Sequence, residues 1–155
     1  AYAILVDLQQ AMNIHCYVMR SGFLSKVEVA TGLIDIYSKC GSLESAHKIF
    51  NGIPVKDKDI VLWSVIIAGY GMHGHGEAAV SLFNQMVQSG VEPNEVTFTS
   101  VLHACSHVGL VDEGLSLFKF MLEVHQMSPN ADHYTCIIDL LGRAGRLEEA
   151  YELIN

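Results

Sequence analysis

Cys40-Gly41-Ser42-Leu43-Glu44-Ser45-Ala46, His73-Gly74-His75-Gly76-Glu77-Ala78-Ala79, Val108-Gly109-Leu110-Val111-Asp112-Glu113-Gly114 and Ala144-Gly145-Arg146-Leu147-Glu148-Glu149-Ala150 are four copies of one pattern. The first glycines of the four are spaced by 33, 35 and 36 residues. Nine residues after each stands a large apolar side chain: Phe50, Phe83, Phe118 and Ile154. Eight residues before each begins an aliphatic pair: Leu33-Ile34, Ile66-Ile67, Val101-Leu102 and Ile137-Ile138. Registers that agree at separate positions mark an internal repeat, and a period near 35 residues belongs to helix–turn–helix arrays.

Each copy divides into two helical patterns. The segment before the glycine, as in Val61 to Tyr70, is apolar almost all round and predicts a helix buried on most sides. The glycine then supplies a tight turn with positive φ at little steric cost. The following segment is amphipathic, with Leu43, Ala46, Ile49, Phe50 and Ile53 on one stripe and Glu44, Ser45 and Lys48 opposite. That stripe recurs as Ala79, Leu82, Phe83 and Met86, and again as Val111, Gly114, Phe118, Met121 and Leu122. Small residues at Ala46, Ala79, Gly114 and Ala150 permit close approach of the paired helices. Pro54, Pro93 and Pro129 follow the second helices and block their continuation. The expected architecture is all-α, a solenoid of stacked helical pairs stabilised by neighbour interfaces. It divides into a partial unit at 1–26, units at 27–59, 60–94 and 95–130, and a truncated unit at 131–155. The chain is therefore expected to be a stretch of a longer array.

Composition narrows the function classes. Half of the 155 residues are hydrophobic and only 17% charged, which excludes an intrinsically disordered segment. A formal charge of −8 excludes a generic basic nucleic-acid-binding domain. The apolar run Ile60 to Met72 is well short of the roughly 20 residues a spanning helix needs, so no membrane partner is expected. No signal-peptide pattern opens the chain. Cys16, Cys40, Cys105 and Cys136 each sit in an apolar segment and are expected as buried, reduced thiols. Histidine is abundant, and His103 and His107 stand at i and i+4 while His73 and His75 flank a turn, but no fourth zinc ligand is evident. His75-Gly-Glu77 matches one half of a deaminase signature whose P-C-x-x-C half is absent. Without a P-loop, dinucleotide or nucleophile motif, the chain reads as a binding module with no cofactor, not an enzyme.

Four longer strings carry a family resemblance: Gly32-Leu-Ile-Asp-Ile-Tyr-Ser-Lys-Cys-Gly-Ser-Leu43, Leu62-Trp-Ser-Val-Ile-Ile-Ala-Gly-Tyr70, Val96-Thr-Phe-Thr-Ser-Val-Leu-His-Ala-Cys-Ser-His107 and His133-Tyr-Thr-Cys-Ile-Ile-Asp-Leu-Leu-Gly-Arg-Ala-Gly-Arg-Leu-Glu-Glu-Ala150. The chain resembles a pentatricopeptide repeat (PPR) protein, and its S-like, P-like, L-like and S-like units in turn resemble the plant subclass that alternates P, L and S repeats. The early Trp, Leu-Gly pair and Tyr of tetratricopeptide first helices are not present in that register. Two stretches depart from the PPR pattern: Val55 to Asp59 is longer than the usual turn, and Ala1 to Asn13 matches poorly.

The resemblance implies a right-handed α-solenoid that binds single-stranded RNA at about one nucleotide per repeat. It implies base-reading pairs at Thr31 with Asp59, Ser64 with Asn94 and Thr99 with Asn130, and a lone Thr135. By the family's code these suggest 5′-G-A-N-purine-3′. Glu28, Val61, Val96 and Asp132 match the residues that sandwich bases, and Val61 and Val96 suit an apolar contact. Lys39, Met72, His107 and Arg143 form one row before the turn glycines, where Lys39, His107 and Arg143 are candidates for phosphate contacts. The subclass implies site selection for C-to-U RNA editing in a mitochondrion or chloroplast, with editing-complex proteins as further partners. From the residues alone, Asp59, Asn94 and Asn130 are equally good N-caps, and the two roles are compatible. Two rival readings stay open: a tetratricopeptide-like scaffold for a basic protein partner, and a homo-oligomer joined through exposed solenoid ends.

Overall fold

The computed structural model describes residues 2–23 and 26–153, without the side chains of residues 2–6. Ile154, expected on the last apolar stripe, lies outside the described residues. A long helix α1 (Tyr2–Arg20) precedes four helical pairs: α2 (Val27–Lys39) with α3 (Leu43–Gly52), α4 (Ile60–Met72) with α5 (Gly76–Gln88), α6 (Glu95–Val108) with α7 (Val111–Glu123), and α8 (Ala131–Arg143) with α9 (Leu147–Glu152). There is no strand among the described residues, so the fold is all-α.

The four copies of the glycine pattern are four copies of one turn. Gly41, Gly74, Gly109 and Gly145 take φ of 76, 74, 77 and 75°. The next residue closes each turn: the N–H groups of Ser42, His75, Leu110 and Arg146 donate to the carbonyls of Tyr37, Tyr70, Cys105 and Leu141 at 2.9–3.0 Å. This is the six-to-one bond of a Schellman motif, which satisfies carbonyls orphaned at a helix end. At the other end of the first helices, Asp59, Asn94 and Asn130 accept from the N–H of Leu62, Thr97 and His133. The N-cap reading of all three is thus realised.

The pairs stack into two layers. Helices α2, α4, α6 and α8 pack one against the next, and α3, α5 and α7 each pack on their own first helix and on the one that follows. The backbones of the second helices stand further from one another, and α5 meets α7 through side chains, as at Phe83 and Phe120 with ring centres 6.4 Å apart. Close contact in one layer and separation in the other put the first helices on the inside of the array. The joints are aromatic: Phe50 meets Trp63 with ring centres 4.8 Å apart, Phe83 meets Phe98 at 5.3 Å, and Phe118 meets Tyr134 at 5.8 Å. Each joins a second helix to the next first helix, and such pairs add about 0.5–1.5 kcal/mol beyond the area they bury.

Two expectations need correction. Leu122 is 39% exposed, and Leu117 takes its place in the core. Gly114, Leu117, Phe118 and Met121 follow the i, i+3, i+4, i+7 face, so the next residue is rotated off it by about 100°. Of the four cysteines only Cys105 and Cys136 are buried, whereas Cys16 is exposed and Cys40 half-exposed, though all four are free thiols. Cys16 lies on a helix that packs mainly against α2, so most of its circumference faces water.

The inner layer is close-packed at α4 and α6. A Cβ placed on Gly71 would lie 2.8 Å from the Ala104 Cβ and 3.3 Å from its Cα. Helix propensity alone would make Gly71→Ala stabilising by about 1 kcal/mol. Overlap with a backbone that has no rotamer to yield costs about 1–3 kcal/mol and wins. The variant is expected to unfold at lower urea concentration than the parent, and an unchanged or raised midpoint would refute the close approach.

Candidate functional site

The positions aligned by the repeat converge on the inner layer. A cavity of about 350 Å³ opens between α4 and α6, with Val61 and Ser64 from one, Val96 from the other, and Asn94 at the start of α6. Val61 is 56% and Val96 62% exposed, in a chain whose other aliphatic residues on these helices are largely buried. An exposed β-branched side chain on each side of a cleft offers apolar walls to a flat ligand. Glu28 and Asp132 are also exposed at the corresponding positions of α2 and α8, where they present anionic groups instead.

The hydroxyl row behaves in two ways. Thr31, Thr99 and Thr135 donate to the carbonyls of Val27, Glu95 and Ala131, four residues back in their own helices, at 2.7–2.9 Å. Their oxygen lone pairs remain available as acceptors. Ser64 is only 7% exposed and instead contacts the Thr97 hydroxyl at 3.0 Å. Thr97 in turn bonds Asn94, which joins two of the aligned residues, Ser64 and Asn94, through a third. Asp59 and Asn130 each use one side-chain oxygen as an N-cap, at 2.8 and 3.0 Å.

The cationic row is already paired. Lys39 bonds Asp35 at 2.6 Å and Arg143 bonds Asp139 at 3.0 Å, both across one helical turn and both exposed. Asp139 also accepts a hydrogen bond from the Ser106 hydroxyl of the preceding first helix. That bond, together with the Arg143 guanidinium, holds its carboxyl below the usual range. Met72 is exposed, and His107 stacks edge-on against His103 with ring centres 5.0 Å apart. His103, His107, Thr135, Cys136, Asp139 and Arg143 line a second cleft, of about 280 Å³, between α6 and α8. Cys105 of the same short motif is buried away from these histidines, and among the described residues no three His, Cys, Asp or Glu side chains are grouped to hold a metal ion. The acidic residues Glu44, Asp112, Glu113, Glu148 and Glu149 are exposed on the second helices, in the other layer.

Three kinds of participant lie outside the aligned rows. Asp35 and Asp139 are legible in the sequence as i, i+4 partners of Lys39 and Arg143. Thr97 stands three residues after Asn94, the spacing of a capping box, and both of its reciprocal bonds are present. Ser38 carries no comparable signal. It is 1% exposed, lines the first cavity, and its hydroxyl has no partner.

Comparison with known proteins places this geometry. The PPR repeat family matches residues 58–107, and the PPR repeat matches 29–56, 96–124 and 125–155. The chain belongs to the pentatricopeptide repeat family. It is 65% identical over its whole length to the Arabidopsis thaliana pentatricopeptide repeat-containing protein At5g39350, of which it spans 23%. It is 49% identical over its whole length to the chloroplastic pentatricopeptide repeat-containing protein DOT4 of the same plant, spanning 18% of it. A mitochondrial PPR protein, At3g53360, is 47% identical over 96% of the chain, which spans 19% of that relative. The chain thus covers about a fifth of the length of these relatives. Among solved structures, PPR10 in complex with an 18-nt psaJ RNA element aligns over 83% of this chain and 19% of its own, with a TM-score of 0.70 and 29% identity. A crystal structure of PPR10 from maize gives the same TM-score and identity over 82% of this chain and 18% of its own.

Burial pushes the Cys105 thiol up to about 12 and the Cys136 thiol up to about 11, with nearby carboxylates adding to both. Thiolate is the reactive form, so both residues of these PPR repeats should resist iodoacetamide at pH 8. Mass spectrometry of the alkylated native chain should find Cys16 modified first, with Cys105 and Cys136 labelled only after denaturation. Early labelling of Cys105 would contradict the packing of α6.

Proposed function

We propose that this chain is a sequence-reading segment that binds single-stranded RNA along its inner layer, about one nucleotide per repeat. The observation that carries the reading is the cavity between α4 and α6, where Val61, Val96, Ser64 and Asn94 meet. Two apolar walls suit the faces of a base, and a hydroxyl and an amide at the floor suit its Watson–Crick edge. Similarity to PPR10, whose structure was determined with an RNA element, supports the same ligand class. In this reading the units are 27–59, 60–94, 95–130 and 131 onward, and the pairs Thr31/Asp59, Ser64/Asn94 and Thr99/Asn130 with Thr135 prefer 5′-G-A-N-purine-3′. The capping role of Asp59, Asn94 and Asn130 supports base contact, because a capped side chain is held still at the mouth of the cleft.

Lys39, His107 and Arg143 take the phosphates. The pairing of Lys39 with Asp35 and of Arg143 with Asp139 makes that contribution conditional, since a phosphate must share or displace a carboxylate partner. The biological task is site selection for C-to-U editing in a chloroplast or mitochondrion. That assignment is supported by the P, L and S character of the units and by relatives named for both organelles. Any base conversion then belongs to another domain or to editing-complex partners, not to a residue of this chain. Exposed Met12, Ile14, Tyr17 and Met19 on α1 offer a surface on which a further repeat or a second copy would pack.

Binding by fluorescence anisotropy tests the reading. Single-stranded RNA carrying the preferred order should bind more tightly than RNAs that permute those bases, and more tightly than duplex. Equal affinity for every permutation would sink it. Changing both Lys39 and Arg143 to Gln should weaken binding and flatten its dependence on log salt, by up to about one unit for each phosphate left without its cation. Replacing Asp35 with Asn should do the opposite, strengthening binding by releasing Lys39.

A further inference from the structure

We propose that Thr97, which lies on neither base-facing row, is a positioning residue that sets the hydrogen-bonding polarity of the Ser64/Asn94 pair. It thereby decides which class of base this unit accepts; the inference rests on the RNA-binding reading above. Thr97 is fully buried, at the centre of a small hydrogen-bonded cluster. Its backbone N–H and its hydroxyl both donate to Asn94 Oδ1 at 2.9 Å. The Asn94 N–H points back at the Thr97 hydroxyl at 3.4 Å, and the Ser64 hydroxyl lies 3.0 Å from it.

Proton counting fixes the direction of this relay. An amide oxygen only accepts, so the single hydroxyl proton of Thr97 is committed to Asn94 Oδ1. The proton between Ser64 and Thr97 must then come from Ser64. Ser64 therefore turns lone pairs, an acceptor, toward the cavity. Asn94 cannot flip, because that would set an NH₂ group against two donors, so it turns Nδ2, a donor, outward. The unit thus offers one acceptor and one donor in a fixed order. Adenine and cytosine carry an exocyclic donor beside a ring acceptor, whereas guanine and uracil carry the reverse. Reversing either protein group exchanges one class for the other, and Thr97 is what forbids the reversal.

The neighbouring units are built differently. Leu62, at the matching position of α4, reaches Asp59 through its backbone N–H. His133 on α8 accepts from the Asn130 N–H and bonds the Glu95 carbonyl through its other ring nitrogen. Thr31 and Thr99 donate to their own helices. Among the described residues, then, the side-chain bridge between the two rows occurs at Ser64 and Asn94.

The test compares the parent chain with Thr97→Val, which keeps the shape and the backbone N–H but removes the hydroxyl, and Thr97→Ser, which keeps the hydroxyl. Each is titrated with four RNAs that differ only at the nucleotide facing this unit, after a thermal melt by circular dichroism shows it folded. Thr97→Val should lower the ratio of best to worst affinity by about three- to tenfold, as expected for removal of one hydrogen bond, while the preference at the Thr31/Asp59 unit stays as in the parent. Thr97→Ser should restore the ratio to within about twofold. A Thr97→Val chain that discriminates as the parent does overturns the proposal. If the parent itself does not distinguish the four RNAs, the base-reading function fails, and the relay is judged by NMR of the Asn94 side chain. One rotamer in the parent and in Thr97→Ser, averaged in Thr97→Val, supports it; averaging in the parent overturns it.

Discussion

The contact on which the array depends is the approach of one first helix to the next, tight both where Gly69 meets Ser38 and where Gly71 meets Ala104. Side-chain volume at that seam sets the spacing of the inner layer. The second helices, joined to it through Phe50–Trp63, Phe83–Phe98 and Phe118–Tyr134, are carried outward and stand further apart, with side-chain contact such as Phe83–Phe120 between α5 and α7. A tight inner layer brings the start of each first helix beside the first turns of the one before, Thr97 by Ser64 and His133 by Glu95. That is why an N-cap on α6 can share a cavity with a hydroxyl on α4. A longer spacing would leave Asn94 as a cap and nothing more.

In the proposed reading, the same geometry puts structural and recognition roles on the same atoms. A cap must stand at the mouth of a helix, and the mouth of α6 opens onto the face of α4. Using Oδ1 for the cap leaves Nδ2 over, so the group that completes the helix also presents a donor at a fixed place. Mobile side chains would lose conformational entropy on meeting a ligand, whereas these have already lost it on folding.

The fold is legible because a repeat reports itself four times. The turn glycines, the large apolar residue nine positions on, and the prolines after the second helices can each be checked against the other copies. Where only one copy carries a feature, the sequence is a weaker guide. Leu122 fits a stripe drawn one residue too wide, and Cys16 has apolar neighbours in sequence although α1 packs on one side. At the site, the rows are legible from register, but their bonding is not. Spacing puts Ser64 in the row proposed to face bases without showing its bond to a threonine 33 residues away. Nor does it show the Ser38 hydroxyl, whose burial depends on the helix beyond it. Pairing between neighbouring units is a tertiary fact, and a repeat pattern describes one unit at a time.

Net charge is the remaining constraint on mechanism. With −8 on the chain and Lys39 and Arg143 held by carboxylates, long-range attraction to a polyanion is weak. In the RNA-binding reading proposed above, affinity then comes from short-range terms: apolar contact at Val61 and Val96, and hydrogen bonds whose direction is set in advance. Such terms discriminate between bases, whereas phosphate attraction does not. Separation of the acidic second helices from the inner layer limits their repulsion, since screening at physiological salt acts over about 8 Å. A binder built this way trades overall grip for selectivity per repeat, and gains affinity by adding repeats.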